Sequence, residues 1–144
     1  MSAVQRLYTP ELLALAVELA NYPPLDAART HAEARSPTCG STLALDLALD
    51  ANGKVDRLGM RVRACAIGQA AAAIFARHAP GRDVADIRGA LERLEAWLGG
   101  SDPAPDWPDL ELVAPARAFP ARHGAMLLPW KAAVAALSST APAS

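Results

Sequence analysis

Two runs of alternating apolar and polar residues, joined by a turn signal, predict a β-hairpin with a defined pairing register. Leucines occupy every second position over 43–49, and Leu58, Met60 and Val62 alternate with polar residues in the second run. Asn52-Gly53 between the runs is a strong hairpin turn signal. A two-residue turn there sets the leucines opposite the apolar residues of the second strand, whereas a one-residue slip would bury arginines.

This register brings the two cysteines of the chain to the same end of the hairpin. Cys39 precedes the first strand and Cys65 follows the second, so that Cys65 falls opposite Gly40. Cys65 also lies where a helix begins, and the unpaired N–H groups there favour a thiolate. Gly40 gives the backbone beside Cys39 freedom to bend. The alternative is that both cysteines are small, inert, buried side chains.

Composition predicts a single domain without nucleic-acid or membrane partners. The 144 residues are 52% hydrophobic, and we expect one domain over 1–137 with a flexible tail over 138–144. The net charge of -1 comes without a dense Lys/Arg cluster, which argues against nucleic-acid binding. Glu11 and Glu18 interrupt the first apolar stretch, so we expect no signal peptide. We therefore expect a cytoplasmic location. In that compartment a pair of thiols binds metal or reacts more often than it forms a structural disulfide.

The order of the elements predicts an α+β fold, in which a three-stranded antiparallel sheet has helices packed on one face, the leucine face. Turn and cap residues delimit the helices, because Thr9 and Asp83 are suitable N-caps and Pro129 is tolerated only in a first turn. The expected elements are a first helix after Thr9, an edge strand over 30–35, the hairpin, helices over 67–78 and 84–98, and a last helix over 129–137.

A metal site needs more than two ligands, and His123 is the candidate for the third. If the last helix begins at Pro129, His123 lies in the preceding loop, where Gly124 leaves it free to project. His78 is expected to pack near the end of its helix and His31 to be solvated. A neutral imidazole and two thiolates suit zinc or iron, although His123 as a solvated loop residue is the alternative.

These segments resemble the iron–sulfur cluster assembly scaffolds of the IscU/SufU/NifU N-terminal family. The similar segments are Pro37-Thr38-Cys39-Gly40, Ala64-Cys65-Ala66-Ile67-Gly68-Gln69-Ala70, and Arg122-His123-Gly124-Ala125-Met126-Leu127-Leu128-Pro129-Trp130. In that family three cysteines and an Asp or His surround a site that holds zinc or a nascent [2Fe–2S] cluster. The resemblance implies Cys39 and Cys65 as ligands, Cys39 as sulfur acceptor, and a transient [2Fe–2S] cluster or iron, or zinc, as the bound metal. The implied partners are a Suf-type cysteine desulfurase and iron–sulfur recipient or carrier proteins, and a homo-oligomer is possible.

The sequence departs from the family pattern at two ligand positions. Ser41 stands where an Asp usually follows Cys-Gly, and the third cysteine is replaced by Gly124 or by Ala125, depending on which part of the last segment is aligned. Ser41 or water would then be the fourth ligand of a zinc or iron ion beside Cys39, Cys65 and His123. A [2Fe–2S] cluster would need a further donor, such as a second subunit or a small thiol. Gly40, Gly124 and Arg122 would shape the site.

Three functions from different classes remain open at this point. The first is a scaffold or sulfur-acceptor protein rather than an enzyme. The second is a zinc-binding structural or regulatory protein that has lost assembly activity. The third is a redox module in which Cys39 and Cys65 form a reversible disulfide. Fold alone does not separate them, because function resides in the site.

Overall fold

A three-stranded antiparallel sheet with helices on one face organises the computed structural model, which describes residues 7–26, 30–37, 39–101 and 103–139. The expected α+β fold is therefore confirmed. The strands are β1 (Thr30–Arg35), β2 (Thr42–Leu49) and β3 (Val55–Arg63), in that spatial order. The helices are α1 (Pro10–Glu18), α2 (Ala66–His78), α3 (Val84–Leu98) and α4 (Pro120–Ser139), with 3₁₀ segments at Leu19–Asn21 and Leu110–Ala118.

The hairpin register follows the prediction over most of its length. Leu43 lies opposite Val62, Leu45 opposite Met60 and Leu47 opposite Leu58, and the three leucines are buried. β1 pairs antiparallel with β2, which confirms the predicted edge strand. α4 packs against β1 and β2, while α2 contacts α4 and β3. The alternating pattern thus places the leucine face against the helices.

The turn of the hairpin is longer than the predicted two-residue turn. The Asp50 N–H donates to the Lys54 carbonyl at 2.8 Å, which leaves a three-residue loop over 51–53 that ends at Gly53 with φ +77°. Leu49 lies opposite Val55 but Ala48 opposite Arg57, so β3 carries one extra residue at position 56. This β-bulge offsets the longer loop, and the predicted register is restored beyond it.

The predicted caps of α1 and α3 are present. The hydroxyl of Thr9 accepts a hydrogen bond from the Leu12 N–H at 3.1 Å, and Pro10 occupies the first helical position. Asp83 and Asp86 form a reciprocal capping box at the start of α3. Local sequence signals therefore set the start of both helices.

The last helix begins nine residues earlier than predicted, at Pro120, so Pro129 lies in its interior. An interior proline loses one backbone hydrogen bond and costs about 3 kcal/mol. The residues around it offset that cost by burial, because residues 125–130 are all buried and Trp130 is 1% exposed. The helix also extends to Ser139, so the first two residues of the predicted tail are helical, and 140–144 lie outside the described residues.

An aromatic cluster closes the core between α2, α4 and the segment before the second 3₁₀ segment. Phe75 stacks on Trp107 with ring centroids 5.4 Å apart and meets the edge of Trp130 at the same distance. The Trp107 indole N–H donates to the Ile74 carbonyl at 3.0 Å, which satisfies its one polar atom. In the part of the chain that the structure describes, no helix is both long and apolar enough to cross a membrane.

Candidate functional site

Cys39 lies in the tight connection between β1 and β2. The Ser36 N–H donates to the Ser41 carbonyl at 2.8 Å, and the Gly40 N–H donates back to the Ser36 carbonyl at 3.1 Å. Gly40 has φ +72°, a conformation that glycine adopts without a steric penalty. Both serines are buried while Cys39 is exposed. The connection therefore presents the thiol to solvent on a closed backbone turn.

The surroundings of Cys39 favour its thiolate. Hydrogen bonds from the Ser36 and Ser41 side chains and from the Ser41 backbone lower the pKa of the Cys39 thiol, and the Arg122 charge acts in the same direction. The Cys39 Sγ and the Ser41 Oγ are 3.0 Å apart. A lowered pKa raises the fraction of thiolate, the form that attacks sulfur or binds metal. The structure therefore gives Cys39 the properties of a reactive cysteine.

Cys65 is the N-cap residue of α2 and makes no side-chain capping bond. Its carbonyl accepts from the Gln69 N–H at 2.9 Å, and the Gln69 side chain donates to the Ala64 carbonyl. The thiol is half-buried and packs against the edge of the core. Cys65 therefore lies at the helix start, as the sequence predicts, and is less accessible than Cys39.

The first turns of α4 approach both cysteine-bearing segments. Arg122 lies near enough to Cys39 for its charge to act on the thiol. One turn further along, Ala125 packs against the start of α2, where a Cβ placed on Gly68 would lie 3.1 Å from the Ala125 Cβ. Ala125 is 1% exposed, and the Ala64 Cβ is the other close neighbour of that position. The Cys39 turn, the start of α2 and residues 122–125 therefore form one region, which we call the cysteine end.

His123 lies in the first turns of α4, so its predicted place in a loop is wrong. Its Nε2 is 3.0 Å from the Arg117 carbonyl and 3.2 Å from the Ala116 carbonyl. Because carbonyl oxygens only accept hydrogen bonds, Nε2 carries the proton, and in the neutral ring Nδ1 has the free lone pair. Metal-binding histidines commonly donate their other ring N–H to such a carbonyl. The arrangement is compatible with a ligand but also anchors the helix start.

Among the residues that the structure describes, no group of three or more His, Cys, Asp and Glu side chains is placed to hold a metal ion. The ligand set Cys39, Cys65 and His123 therefore stays a prediction. Ser41 is directed at Cys39, with which it shares a hydrogen bond. Its hydroxyl helps to lower the pKa of the Cys39 thiol, and its role as a fourth ligand stays a prediction.

Ser36 is the residue at this site that the sequence analysis missed. Its hydroxyl is the largest cause of the lowered Cys39 pKa, and the side chain is 1% exposed. The signal in the sequence was its place directly before Pro37, at the mouth of the turn that Ser41 closes. Serines at both mouths of a short connection are suited to bond a group at its tip.

Several solved structures have the same fold as this chain. A nitrogen-fixing NifU-like protein (N-terminal) from Brucella abortus is 28% identical, with a TM-score of 0.86 over 97% of this chain and all of that one. A putative iron–sulfur cluster assembly scaffold protein for the SUF system from Fervidobacterium islandicum is 19% identical, with a TM-score of 0.79 over 92% of this chain and 97% of that one. A hypothetical protein is similar at 18% identity, with a TM-score of 0.67 over 88% and 96%.

Neither a scan of the sequence against protein-family models nor a search of the curated proteins finds a match. The NifU-like protein is similar in sequence, at 28% identity, as well as in fold. The two structures below 20% identity show similarity of fold alone.

Proposed function

The chain belongs to the IscU/SufU/NifU-like family, and on that premise we propose that it accepts sulfane sulfur at Cys39 during iron–sulfur cluster assembly. One observation carries the proposal: Cys39 is exposed on a closed turn, and Ser36, Ser41 and Arg122 all favour its thiolate. A thiolate that solvent and a partner can reach is what nucleophilic attack on a persulfide requires.

The transfer step is a thiolate exchange without net oxidation. The Cys39 thiolate attacks the outer sulfur of the persulfide on a cysteine desulfurase, a Suf-type enzyme in this proposal. The new S–S bond forms on Cys39 as the donor's S–S bond breaks, and the donor cysteine leaves as a thiolate. The terminal sulfur keeps its proton as it moves to Cys39, so the products are a Cys39 persulfide and the donor thiolate, and atoms and charge balance. The Ser36 and Ser41 hydroxyls can stabilise the negative sulfur on either side of the step.

An iron ion or a [2Fe–2S] cluster is cargo in this proposal, passed on to recipient or carrier proteins. The proposed donors within one chain are Cys39, Cys65 and, through Nδ1, His123, one fewer than the four that a cluster normally takes. Ala125 or Gly124 stands where the family has its third cysteine. The missing donor would come from a second subunit or a small thiol.

A second candidate is zinc binding by the same three residues, and the orientation of His123 favours it. The Nε2–H is held by backbone carbonyls, which leaves Nδ1 with the lone pair for a metal ion. Zinc affinity of His123→Ala against the parent tests this role, and Met126→Leu in the same helix is a conservative control. Equal affinities would remove His123 from the ligand set.

The experiment for sulfur acceptance supplies the chain with cysteine and a purified cysteine desulfurase under anaerobic conditions. Intact-mass spectrometry then counts added sulfur on the parent, on Cys39→Ser and on Cys65→Ser. We expect sulfur on the parent and on Cys65→Ser, and none on Cys39→Ser. Sulfur added to Cys39→Ser, or no sulfur on the parent when the desulfurase is active, would overturn the proposal.

A further inference from the structure

The sheet face opposite the helices carries a groove at its cysteine end. Residues directly opposite each other on neighbouring strands share a face, so the small side chains of β2 lie between longer ones of β1 and β3. The groove has a volume of about 300 Å³. Thr42 and Ala44 form its floor, Glu33 and Arg35 line it on β1, and Arg61 and Arg63 line it on β3.

Three guanidinium groups in this groove have no partner. Within the described part of the chain, the side chains of Arg35, Arg61 and Arg63 form no hydrogen bond or ion pair. Arg77, by contrast, donates to the Glu18 carboxylate. The one carboxylate among the residues that line the groove is Glu33, and its Oε1 lies 4.0 Å from the His31 Nε2. Unpaired cations therefore outnumber anions in the groove although the chain as a whole carries a charge of -1.

The neighbouring part of the same face is already covered by a segment of this chain. The Pro23 carbonyl oxygen lies only 2.0 Å from where a Cβ on Gly59 would be, so that strand position accepts a backbone because it is glycine. The Leu25 N–H donates to the Asp46 carboxylate at 3.0 Å, and the Met60 N–H donates to the Tyr22 carbonyl at 2.9 Å. One peptide segment thus lies on this face at Gly59 of β3 and Asp46 of β2, and the groove is the next part of the face, which none of the described segments covers.

We propose that this groove binds an acidic, extended peptide segment of a partner protein, which in terms of the proposed function is the protein that donates sulfur to Cys39. β1 and β3 lie two strand spacings apart, about 10 Å, which suits one extended chain. Carboxylates of the segment would pair with Arg35, Arg61 and Arg63. A nucleic acid fits less well, because the chain as a whole carries a net charge of -1.

The groove lies next to the turn that carries the reactive Cys39 thiol. Arg35 and Thr42 are the neighbours in sequence of Ser36 and Ser41, which bond the Cys39 thiol. A segment held by the arginines would therefore end beside the Cys39 turn. Binding there brings a donor protein to the thiol and raises the effective concentration for transfer.

The first test uses the isolated chain and does not depend on sulfur transfer. An eight-residue peptide of alternating Glu and Ser is titrated into isotope-labelled protein, with a Gln/Ser peptide as the uncharged counterpart. We expect amide shifts confined to 33–35, 42–44 and 61–63, and weaker binding as salt rises. Arg61→Gln/Arg63→Gln should weaken binding roughly three- to tenfold. Arg57→Gln/Arg93→Gln makes the same change in net charge outside the groove and should not.

The second test measures sulfur transfer from a cysteine desulfurase to the same variants. The groove variant should raise the KM for this chain while leaving kcat and the alkylation rate of Cys39 unchanged, because the thiol is intact. Thermal unfolding confirms that both double variants are folded. If the parent accepts no sulfur, the proposed function fails and the peptide titration still judges the groove.

Three results would overturn the groove proposal while leaving sulfur acceptance in place. They are equal peptide affinities for the two double variants, shifts that lie outside the groove, and tighter binding of an oligothymidine of equal charge than of the Glu/Ser peptide. The last result would assign the groove to a nucleic acid instead.

Discussion

The two ends of α2 differ in how firmly neighbouring side chains hold them. At the C-terminal end the Arg77 guanidinium donates to both carboxylate oxygens of Glu18, at 2.6 and 2.7 Å, and to Asp109 at 3.2 Å. The His78 Nε2 lies 2.7 Å from the same Asp109 carboxylate. At the N-terminal end, Cys65 caps the helix without a side-chain bond. Charged side chains therefore hold the C-terminal end of α2, whereas the N-terminal end, near the exposed Cys39 thiol, has no such pairs among the residues that the structure describes.

The anchored end has a further feature in Asp109, which has φ +73°, a backbone conformation uncommon outside glycine. The hydrogen bonds from His78 and Arg77 lower the pKa of this carboxyl group and hold the residue in place. The two ends of α2 thus differ in the interactions that hold them in place. Ion pairs and aromatic packing hold the C-terminal end of α2, whereas Cys65 at the N-terminal end makes no side-chain capping bond.

Removing the aromatic anchor should give the largest effect. Phe75→Ala empties a fully buried position between Trp107 and Trp130, and we expect the free energy of unfolding to fall by about 3–5 kcal/mol. Urea denaturation measures this loss. Val17→Ala, at a position 76% exposed, should change stability by less than about 0.5 kcal/mol. Similar losses for both variants would contradict an anchored C-terminal end.

Asp109→Asn removes the charge that holds His78 and Arg77 but keeps a residue type that tolerates positive φ. We expect a loss of about 1–2 kcal/mol in unfolding free energy at pH 7, since these groups are partly exposed. The folded-state pKa of Asp109 is lowered, so its contribution is present above the unfolded pKa of about 3.9 and is lost as pH falls through the folded pKa.

The gap in stability between the parent and Asp109→Asn should therefore narrow as the pH is lowered below about 4. Urea unfolding at pH 7, 5 and 3 follows this gap. Asp106→Asn, at an exposed position, is the control and should give no such narrowing. A gap that stays constant with pH would mean that the carboxylate charge is not what anchors this end.

Restoring a third thiol at the open end should strengthen metal binding. Ala125 packs against the start of α2 beside Cys65, so we expect Ala125→Cys to bind zinc roughly tenfold tighter than the parent. Gly124→Cys, one position earlier, is the matched control and also tests the alternative alignment. Competition with a chromophoric chelator gives the affinities. Tighter zinc binding by Gly124→Cys alone would show that Gly124, and not Ala125, corresponds to the third cysteine of the family. Tighter binding by neither variant would argue against a metal site here.

The smallest expected effect is on the thiol itself. Ser41→Ala removes one of the hydroxyls that lower the Cys39 pKa, so the pKa should rise and less thiolate should be present at neutral pH. We expect alkylation of Cys39 at pH 7 to slow roughly two- to fivefold, measured by mass spectrometry of the Cys39 peptide. Ser101→Ala, at an exposed serine, should leave the rate unchanged. An unchanged alkylation rate in Ser41→Ala would show that the Ser41 hydroxyl does not lower the Cys39 pKa.

The parts of the fold that the sequence predicted are those that depend on local pattern. Alternation over 43–49 gave the strand and its buried face, and Thr9 and Asp83 gave helix starts that the structure confirms. The hairpin register was right although the turn was not two residues long, because the extra residue at position 56 offsets the three-residue loop. Burial of one face selects the register, and the turn adapts to it.

The sequence predicts the places of the two cysteines in the fold but not the surroundings of His123. The sequence placed Cys39 and Cys65 at one end of the sheet, and Gly40 in a bend, as the structure has them. The sequence predicts a loop at His123, because a proline such as Pro129 is favourable only in the first turn of a helix, whereas the helix begins at Pro120. An interior proline is unfavourable locally, and only the burial of residues around it, Trp130 among them, shows that packing outweighs that cost.

By itself the sequence determined which side chains lie on the leucine face and where two helices begin, because both follow from contacts within a few residues. Only the tertiary structure decided which thiol is activated and which arginines are left unpaired. The Cys39 pKa depends on Ser36, Ser41 and on Arg122 from α4, and the basic groove depends on residues from β1 and β3 meeting across β2. Electrostatic interactions act through space, so they are set when distant parts of the chain come together.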